Sequence, residues 1–234
     1  WWLAGARHYL YKLTERGKLK QLVRNFDRRY FLLPLQVFND AQIRFHSPYE
    51  SVAQCIEEVV ASFAQHAESQ DCLVIKHHPM DRGHIHYGAL IQQLQSRYGL
   101  AGRLVYCHDL HLPTLLAHAK GVITINSTTA ISAFYHKASV KVLGDAFYNI
   151  PGICSQQPLQ EFWQKPAEID YDLFLRFRNY LSHNGQVNGS FYRRHAFTVE
   201  RVIESMRDNG LFRRSGDATE CGHKKARETR ATEW

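Results

Sequence analysis

Five short apolar runs alternate with amphipathic stretches along most of the chain. Each run is four to eight residues long and is typical of a buried strand, at 30–37, 72–76, 104–107, 122–125 and 139–143. Between the runs, apolar residues recur at the spacing of a helix face, which predicts helices at 47–63, 87–98, 112–119 and 127–135. Strands and helices that alternate in this way form right-handed β–α–β units. The sequence therefore predicts a Rossmann-like, doubly wound α/β domain with a parallel sheet, covering residues 30–152.

Local signals predict where several helices begin and end. Ser47, Pro48 and Glu50 form a capping pattern, in which the serine caps the helix and the glutamate follows three residues later. Gly121 follows the last apolar residue of a predicted helix and is expected to end it. Ser127 is expected to cap the helix that runs to residue 135.

The residues after the sheet domain divide into two predicted segments. Residues 153–212 are predicted to be helical, with helices near 159–163, 172–182 and 197–206. Residues 213–234 contain almost no apolar side chains, and this composition predicts a disordered tail.

Residues 1–29 form a basic amphipathic segment. It holds eight Lys or Arg residues and two acidic ones among aromatic and leucine side chains. Three interpretations are open: a solvated helix, a surface for an anionic membrane, or a nucleic-acid contact. No zinc-finger or RNA-recognition signature is present, so nucleic acid is not predicted as a partner.

Composition narrows the class of protein further. No apolar run approaches the roughly 20 residues that a spanning helix needs, which excludes a membrane channel or carrier. The chain begins with Trp1 and has no secretory signal layout, so we expect a fragment of a longer protein. The five cysteines are scattered and form no Cys-x-x-Cys pair. This disfavours a disulfide framework or structural zinc, and favours a reducing, cytoplasmic setting.

Polar clusters directly follow three of the five predicted strands. They are Asn39-Asp40 after the first strand, His77-His78-Pro79 after the second, and Asn126-Ser127-Thr128-Thr129 after the fourth. The carboxyl ends of parallel strands lie at one edge of a sheet, and ligands bind at that edge. We therefore expect the three clusters to converge on one site.

Each cluster has a chemical interpretation and a structural one. Backbone amides and hydroxyl groups at 126–129 suit a phosphate or carboxylate, but they also suit a simple helix cap. Lys76, His77 and His78 offer an ammonium or imidazole group to a phosphate, and a histidine beside an anion is biased toward its charged form. Taken alone, the pattern favours a structural histidine over a binding one. Asp40 suits a nucleophile or base, and it also suits the cap of a turn.

Absent motifs disfavour several other chemistries. The chain has no Gly-x-Gly-x-x-Gly, no Gly-x-x-x-x-Gly-Lys-Ser/Thr and no Gly-x-Ser-x-Gly, which argues against ordinary dehydrogenases, P-loop nucleotidases and serine hydrolases. His84-x-His86 and His108-x-x-His111 have ligand-like spacing, but no His-Glu-x-x-His motif accompanies them. No metal cofactor is predicted.

Three ordered blocks carry a resemblance to a known family. They are LQVFNDAQI with the following HSP, IKHHPMDRG, and INSTT through VKVLG and YNIPG. Together, over roughly residues 30–194, they resemble the capsule polysaccharide biosynthesis and export family, most closely its KpsS/LipB group of bacterial β-Kdo transferases.

The resemblance implies a fold, a reaction and a place in the cell. Family members resemble two-lobed, GT-B-like glycosyltransferases that transfer Kdo from CMP-Kdo to a phosphatidylglycerol-type lipid. This chain would be the nucleotide-binding lobe without the amino-terminal lobe. The implied setting is the inner face of the inner membrane of a Gram-negative bacterium, as a peripheral protein within reach of a capsule biosynthesis or export complex.

The resemblance also implies roles for individual residues. Asp40 would be the catalytic carboxylate, and His78 would contact the CMP phosphate with support from Lys76 or His77 in the block that includes Pro79. Ser127 and Thr128, flanked by Asn126 and Thr129, would hold the nucleotide phosphate or ribose. No metal is required by this arrangement.

A rival interpretation from another class remains open at this stage. The chain would then be a non-catalytic capsule export or modification protein that binds polysaccharide or the export complex. An enzyme is expected to bind CMP and to lose that binding on His78→Ala or Ser127→Ala, whereas an export protein is expected to be indifferent to both.

Overall fold

The computed structural model describes residues 2–15, 17–187, 189–190, 193 and 195–208. The chain divides into two compact units, Trp1–Arg176 and Phe177–Trp234. The predicted polar tail at 213–234 lies outside the described residues.

The first unit is built on one parallel sheet of five strands. They are β1 (Tyr30–Pro34), β2 (Cys72–Lys76), β3 (Leu104–Cys107), β4 (Gly121–Thr124) and β5 (Val140–Val142). Their order is β3-β2-β1-β4-β5, with every neighbouring pair parallel. The predicted doubly wound α/β sheet is confirmed, with β2 and β3 at the predicted residues. The chain moves outward in one direction from β1 to β3 and then in the other direction from β4 to β5, so the topological switch point lies between β1 and β4.

Helices cover the sheet. They are α1 (Trp2–Thr14), α2 (Lys18–Phe26), α3 (Ala41–Phe45), α4 (Val52–His66), α5 (Gly88–Arg97), α6 (Leu112–His118), α7 (Thr129–Tyr135), α8 (Leu159–Gln164) and α9 (Tyr171–Tyr180), with a short 3₁₀ helix at Pro79–Gly83. The second unit contains a π-helical turn at Leu181–Gly185 and α10 (His195–Asp208). Among the described residues, no helix combines the length and apolarity needed to cross a bilayer.

The core lies between the sheet and α4, α5 and α8. The Phe31 ring on the central strand packs edge-on against Trp163 of α8, with ring centroids 4.8 Å apart. Gly121 was expected to end a helix, but it is instead the first residue of β4. A Cβ atom at this position would lie 2.8 Å from the Phe162 ring and 3.0 Å from Phe31, so the close approach of α8 requires glycine there.

The predicted start of α4 at Ser47 is wrong. The helix begins at Val52, where the Ser51 hydroxyl caps it by accepting a hydrogen bond from the Gln54 amide at 3.2 Å. The Ser47 hydroxyl instead donates to the Ile43 carbonyl at 2.6 Å and accepts from the Tyr49 amide at 3.2 Å. It therefore closes the turn after α3, a short helix that the sequence pattern did not predict.

Candidate functional site

Asp40 lies at the topological switch point, after β1 and at the start of α3. One carboxylate oxygen, Oδ1, accepts a hydrogen bond from the Gln42 amide at 2.9 Å and so caps α3. The other oxygen, Oδ2, accepts from the Gln36 side chain at 3.0 Å. Asp40 is thus a helix cap, as one interpretation of the sequence held, and Gln36 links its carboxylate to Asn126, which follows β4.

Gln36 joins the loops that follow β1 and β4, and sequence analysis did not identify it. The residue is buried, and its Nε2 group donates to Asp40 Oδ2 and, at 2.9 Å, to Asn126 Oδ1. Its Oε1 atom accepts from the Asn126 amide at 3.1 Å. A flipped amide would place oxygen against two oxygen atoms, so this orientation is fixed by its partners.

The cluster 126–129 is brought to the same edge. The Asn126 side-chain amide donates to the carbonyls of Gln42 and His46 at 3.0 and 3.1 Å, which ties α3 to the end of β4. The Ser127 hydroxyl accepts from the Thr129 amide at 3.2 Å, whereas Thr128 occupies the N-cap position and is exposed. The prediction that Ser127 caps this helix is therefore wrong by one residue, although its hydroxyl does accept from the amide of Thr129, where the helix begins.

An open cleft of about 710 Å³ adjoins this cluster. It is lined by Gln42, His46, Asn126, Thr128, Asp145, Ala146, Phe147 and Asn149. The loop after β5 is fixed to the cluster because the Tyr148 hydroxyl donates to the Ser127 carbonyl at 2.5 Å and the Asp145 amide donates to the His46 carbonyl at 2.7 Å. The cleft thus combines exposed polar groups with the largely exposed Phe147 ring.

His78 approaches the switch point from the other side, at the end of β2. Its Nδ1 atom accepts a hydrogen bond from the Met80 amide at 3.2 Å, so the neutral ring carries its proton on Nε2. Burial lowers the pKa of His78, and the charges of Asp81 and Asp40 oppose that shift. The expected bias toward the charged form concerns a histidine beside a bound anion and stays a prediction, while Asp40 and His78 are close enough to interact electrostatically.

Asp81 holds the His78 loop beside the Asp40 loop. This carboxyl group is 1% exposed, and its Oδ2 atom accepts from the Phe38 amide at 2.9 Å. Burial raises the pKa of Asp81, with the Phe38 hydrogen bond and the nearby His78 acting in the opposite direction. Sequence analysis included Asp81 in a family block but gave it no role.

Lys76 and His77 point toward β3 instead of the switch point. The Lys76 ammonium donates to the His108 carbonyl at 3.1 Å, and His77 Nδ1 lies 2.7 Å from the Tyr106 hydroxyl. Both residues are buried, and burial lowers the pKa of His77 to about 4. Of the three consecutive basic residues 76–78, the structure brings only His78 toward Asp40. Pro79 is exposed and begins the 3₁₀ helix that follows.

Helix α1 covers the ends of β2 and β3. The buried Glu15 carboxylate accepts hydrogen bonds from the amides of His108, at 3.0 Å, and Asp109, at 2.9 Å, and lies 3.2 Å from His108 Nδ1. Tyr11 stacks on His108 with ring centroids 3.7 Å apart. Burial alone would raise the pKa of Glu15, but the His108 and Asp109 hydrogen bonds lower it.

The remaining histidines do not form a metal site among the described residues. In that part of the chain, no group of three or more His, Cys, Asp or Glu side chains has an arrangement that could hold a metal ion. The His86 ring stacks on the His108 ring with centroids 5.3 Å apart, and His111 Nδ1 lies 2.8 Å from the Thr114 hydroxyl.

Comparison with known proteins decides the family. Residues 3–192 match the sequence profile described as "Capsule polysaccharide biosynthesis protein". The chain belongs to the capsule polysaccharide biosynthesis family. The resemblance noted in the sequence is thereby confirmed, and every candidate residue of this family member lies inside the matched range.

Two relatives within the capsule family illustrate the similarity. The capsule polysaccharide export protein KpsS of Escherichia coli is 50% identical over 192 residues, which cover 82% of this chain and 49% of KpsS. The capsule polysaccharide modification protein LipB of Neisseria meningitidis serogroup A is 44% identical over 178 residues, or 76% of this chain and 42% of LipB. The chain thus spans about half the length of the curated relatives it matches.

Solved structures with a similar chain trace include two proteins of low sequence identity. One is Thermosulfurimonas dismutans KpsC, a β-Kdo 2,7 transferase, with a TM-score of 0.44, 19% identity, and coverage of 74% of this chain and 55% of KpsC. The other is Anabaena HepE in complex with UDP-glucose, with a TM-score of 0.43 and 14% identity. The match covers 85% of this chain and 53% of HepE.

Proposed function

We propose that this chain is the nucleotide-sugar-binding lobe of a GT-B-like glycosyltransferase of capsule polysaccharide biosynthesis. In this proposal it transfers Kdo from CMP-Kdo to a phosphatidylglycerol-type lipid. The observation that supports it most strongly is the position of Asp40 at the switch point between β1 and β4. Its carboxylate accepts a hydrogen bond from the amide of Gln42, and Gln42 lines an open cleft together with Asn126 and Thr128. Open α/β sheets bind their ligands at such points.

The proposed reaction proceeds with retained configuration in two displacements. An Asp40 oxygen forms a bond to the anomeric carbon of Kdo while the bond from that carbon to the phosphate oxygen breaks, and the electron pair leaves with CMP. The acceptor hydroxyl oxygen then attacks the same carbon, gives its proton to solvent water, and displaces the carboxylate, which regains its electron pair. Each Asp40 oxygen accepts one hydrogen bond, which leaves lone pairs for the attack.

The CMP leaving group needs hydrogen-bond donors at its phosphate. In the proposal, Ser127, Thr128 and Thr129 supply hydroxyl groups, and His78 supplies its Nε2 proton. A bound phosphate favours the imidazolium form of His78, which stabilises the charge that develops on the leaving group. Asn126 shapes the cleft by holding α3.

In this proposal the neighbours of His78 hold it in position. Lys76 and His77 fix the end of β2 against β3, and Pro79 starts the turn that presents His78. The donor substrate is CMP-Kdo, and no metal cofactor is proposed.

A lipid acceptor requires contact with a membrane surface, and α1 offers one. Among its described side chains, the helix contacts the rest of the unit through Arg7, His8 and Tyr11, and it exposes Tyr9 (71%), Leu10 (55%) and Leu13 (63%). An ordinary amphipathic surface helix buries apolar side chains of this kind.

The charge of the α1–α2 region suits an anionic bilayer. Its two acidic residues are both engaged, because Glu15 is buried and Asp27 lies 2.7 Å from His118 Nδ1. Basic residues near an acidic bilayer contribute about 1 kcal/mol each. We therefore propose reversible attachment to the inner face of the inner membrane of a Gram-negative bacterium, where other capsule biosynthesis or export proteins would be partners.

Calorimetric titration with CMP tests the proposed nucleotide site. We expect the wild-type chain to bind CMP and the His78→Ala and Ser127→Ala variants to bind it at least about tenfold more weakly, the loss of one good hydrogen bond to a charged group. His66→Ala, at the end of α4, and Ser96→Ala, in α5, are matched controls because both helices end at the opposite edge of the sheet. A wild-type chain that does not bind CMP would contradict the proposal and favour the non-catalytic export protein.

Co-sedimentation with vesicles tests the membrane surface separately. Phosphatidylglycerol vesicles are expected to retain the chain and neutral phosphatidylcholine vesicles to release it. Leu10→Ser and Leu13→Ser should weaken retention, whereas Val187→Ser, an exposed apolar position outside α1, should leave it unchanged. Equal retention by both kinds of vesicle would refute an electrostatic contact.

A further inference from the structure

We propose that Gln36 is a positioning residue for the Asp40 carboxylate and that it fixes the spacing between this carboxylate and the nucleotide cleft. The inference rests on the proposed function and extends it to a buried side chain that does not touch the substrate. Gln36 is 6% exposed and lies just beyond the last residue of β1.

The Gln36 side chain has a partner for every polar group. One Nε2 hydrogen is directed to Asp40 Oδ2 at 3.0 Å and the other to Asn126 Oδ1 at 2.9 Å. Oε1 accepts from the Asn126 amide at 3.1 Å. A single amide group thus holds the candidate nucleophile on one side and the cleft-lining Asn126 on the other, although Gln36 and Asn126 are 90 residues apart in the chain.

The contacts form a closed ring. Asn126 Nδ2 donates to the Gln42 carbonyl, and the Gln42 amide donates to Asp40 Oδ1, so the carboxylate is held from α3 as well as from Gln36. Two donors on two different oxygens fix the plane of the carboxylate. A displacement of about 1 Å at a reacting group can reduce the rate about 100-fold, so a ring of this kind affects catalysis more than binding.

A substitution of the same shape distinguishes two roles for Gln36: orienting the Asp40 carboxylate, or only holding the two loops together. Gln36→Glu keeps the shape of the side chain but places a second carboxylate against Asp40 Oδ2 and Asn126 Oδ1. Two carboxylates in contact resist simultaneous ionisation. The acid side of the pH–rate profile should therefore move to higher pH, which a purely structural defect would not cause.

The experiment measures CMP release from CMP-Kdo by the full chain with phosphatidylglycerol vesicles, together with CMP affinity by calorimetry. For Gln36→Glu we expect a loss of about 10- to 100-fold in kcat at neutral pH, less than about a threefold change in CMP affinity, and an acid limb displaced upward by about one pH unit or more. Gln36→Met removes the donors without adding charge, so it should lower kcat while displacing the acid limb upward by less than Gln36→Glu does. Gln92→Glu, exposed on α5, is the matched control and should behave as wild type.

The outcomes distinguish this inference from the proposed function. If the wild type turns over the donor and Gln36→Glu matches Gln92→Glu, the positioning role is refuted and the proposed function stands. A Gln36→Glu variant that loses CMP affinity in step with kcat, with the acid limb unmoved, also refutes it. A wild-type chain without turnover would overturn both.

Discussion

Glu15 provides the sharpest test of how α1 is fixed to the rest of the first unit. Its side chain is 4% exposed and accepts from two backbone amides and the His108 ring. Glu15→Gln keeps the size of the side chain but replaces one acceptor oxygen with a donor. The Oε2 atom accepts from both amides, at 3.1 Å from His108 and 2.9 Å from Asp109, so a glutamine can keep both hydrogen bonds only as neutral ones, with its nitrogen facing the His108 ring.

The cost follows from those contacts. A hydrogen bond to a charged group is stronger than a neutral one by about 1 kcal/mol, and the bonds to both amides and to the His108 ring lose that charge assistance. We therefore expect Glu15→Gln to lower the free energy of unfolding by about 1–3 kcal/mol. Urea unfolding followed by circular dichroism measures it. Glu57→Gln, on the exposed face of α4, is the control and should change the free energy by less than about 0.5 kcal/mol.

The stability difference between the wild type and Glu15→Gln should depend on pH. Because the pKa of Glu15 is lowered in the folded protein, its contribution is complete above the ordinary glutamate pKa and is lost as the pH falls through the lowered value. The difference between the wild type and Glu15→Gln should therefore be widest at neutral pH and shrink in acid. Equal unfolding free energies for Glu15→Gln and Glu57→Gln at neutral pH would refute this account of α1.

Three further predictions concern the site and the core. Asp40→Asn should reduce Kdo transfer at least about 1,000-fold while CMP affinity is kept; transfer within tenfold of wild type would argue against a nucleophile. CMP should bind more tightly at pH 6 than at pH 8, because a bound phosphate raises the depressed pKa of His78, and His78→Gln should abolish that difference in calorimetry. Gly121→Ala should destabilise the fold by about 1–3 kcal/mol in thermal unfolding through its contact with Phe162, whereas Gly5→Ala, with open space around it, should not.

The sheet could be predicted from the sequence because buried parallel strands are continuous apolar runs. β2 and β3 coincide with the prediction, and the other strands differ by up to three residues at an end. The start of α4 could not be predicted, since Ser47 and Ser51 both precede plausible first turns. The structure caps the helix at Ser51 and buries Tyr49, which is 3% exposed. Because that burial depends on the tertiary structure, the local sequence does not reveal it.

The candidate site could be predicted only in outline. The rule that ligands bind at the carboxyl ends of parallel strands brings Asp40, His78 and the 126–129 cluster to one edge. It does not say which of three consecutive basic residues faces that edge, because hydrogen bonds to β3 decide where Lys76 and His77 point.

Gln36 and Asp81 were missed for a related reason. Their importance comes from partners 90 and 43 residues away, which no local pattern encodes. The one signal available for Gln36 was a polar amide directly after an apolar strand, at a position where burial without a partner would be costly.

The central claim is that the cleft beside Asp40 and the 126–129 cluster binds the nucleotide. Titration of CMP into ¹⁵N-labelled chain, followed by amide chemical shifts, tests this most directly. The account predicts the largest changes at residues 126–129 and 145–149 and at His78, with small changes at the opposite edge of the sheet. Changes centred instead on a second cleft, which is lined by Gln21, Leu22 and Phe26 of α2 and by Val105 of β3, would contradict it, as would no changes at millimolar CMP.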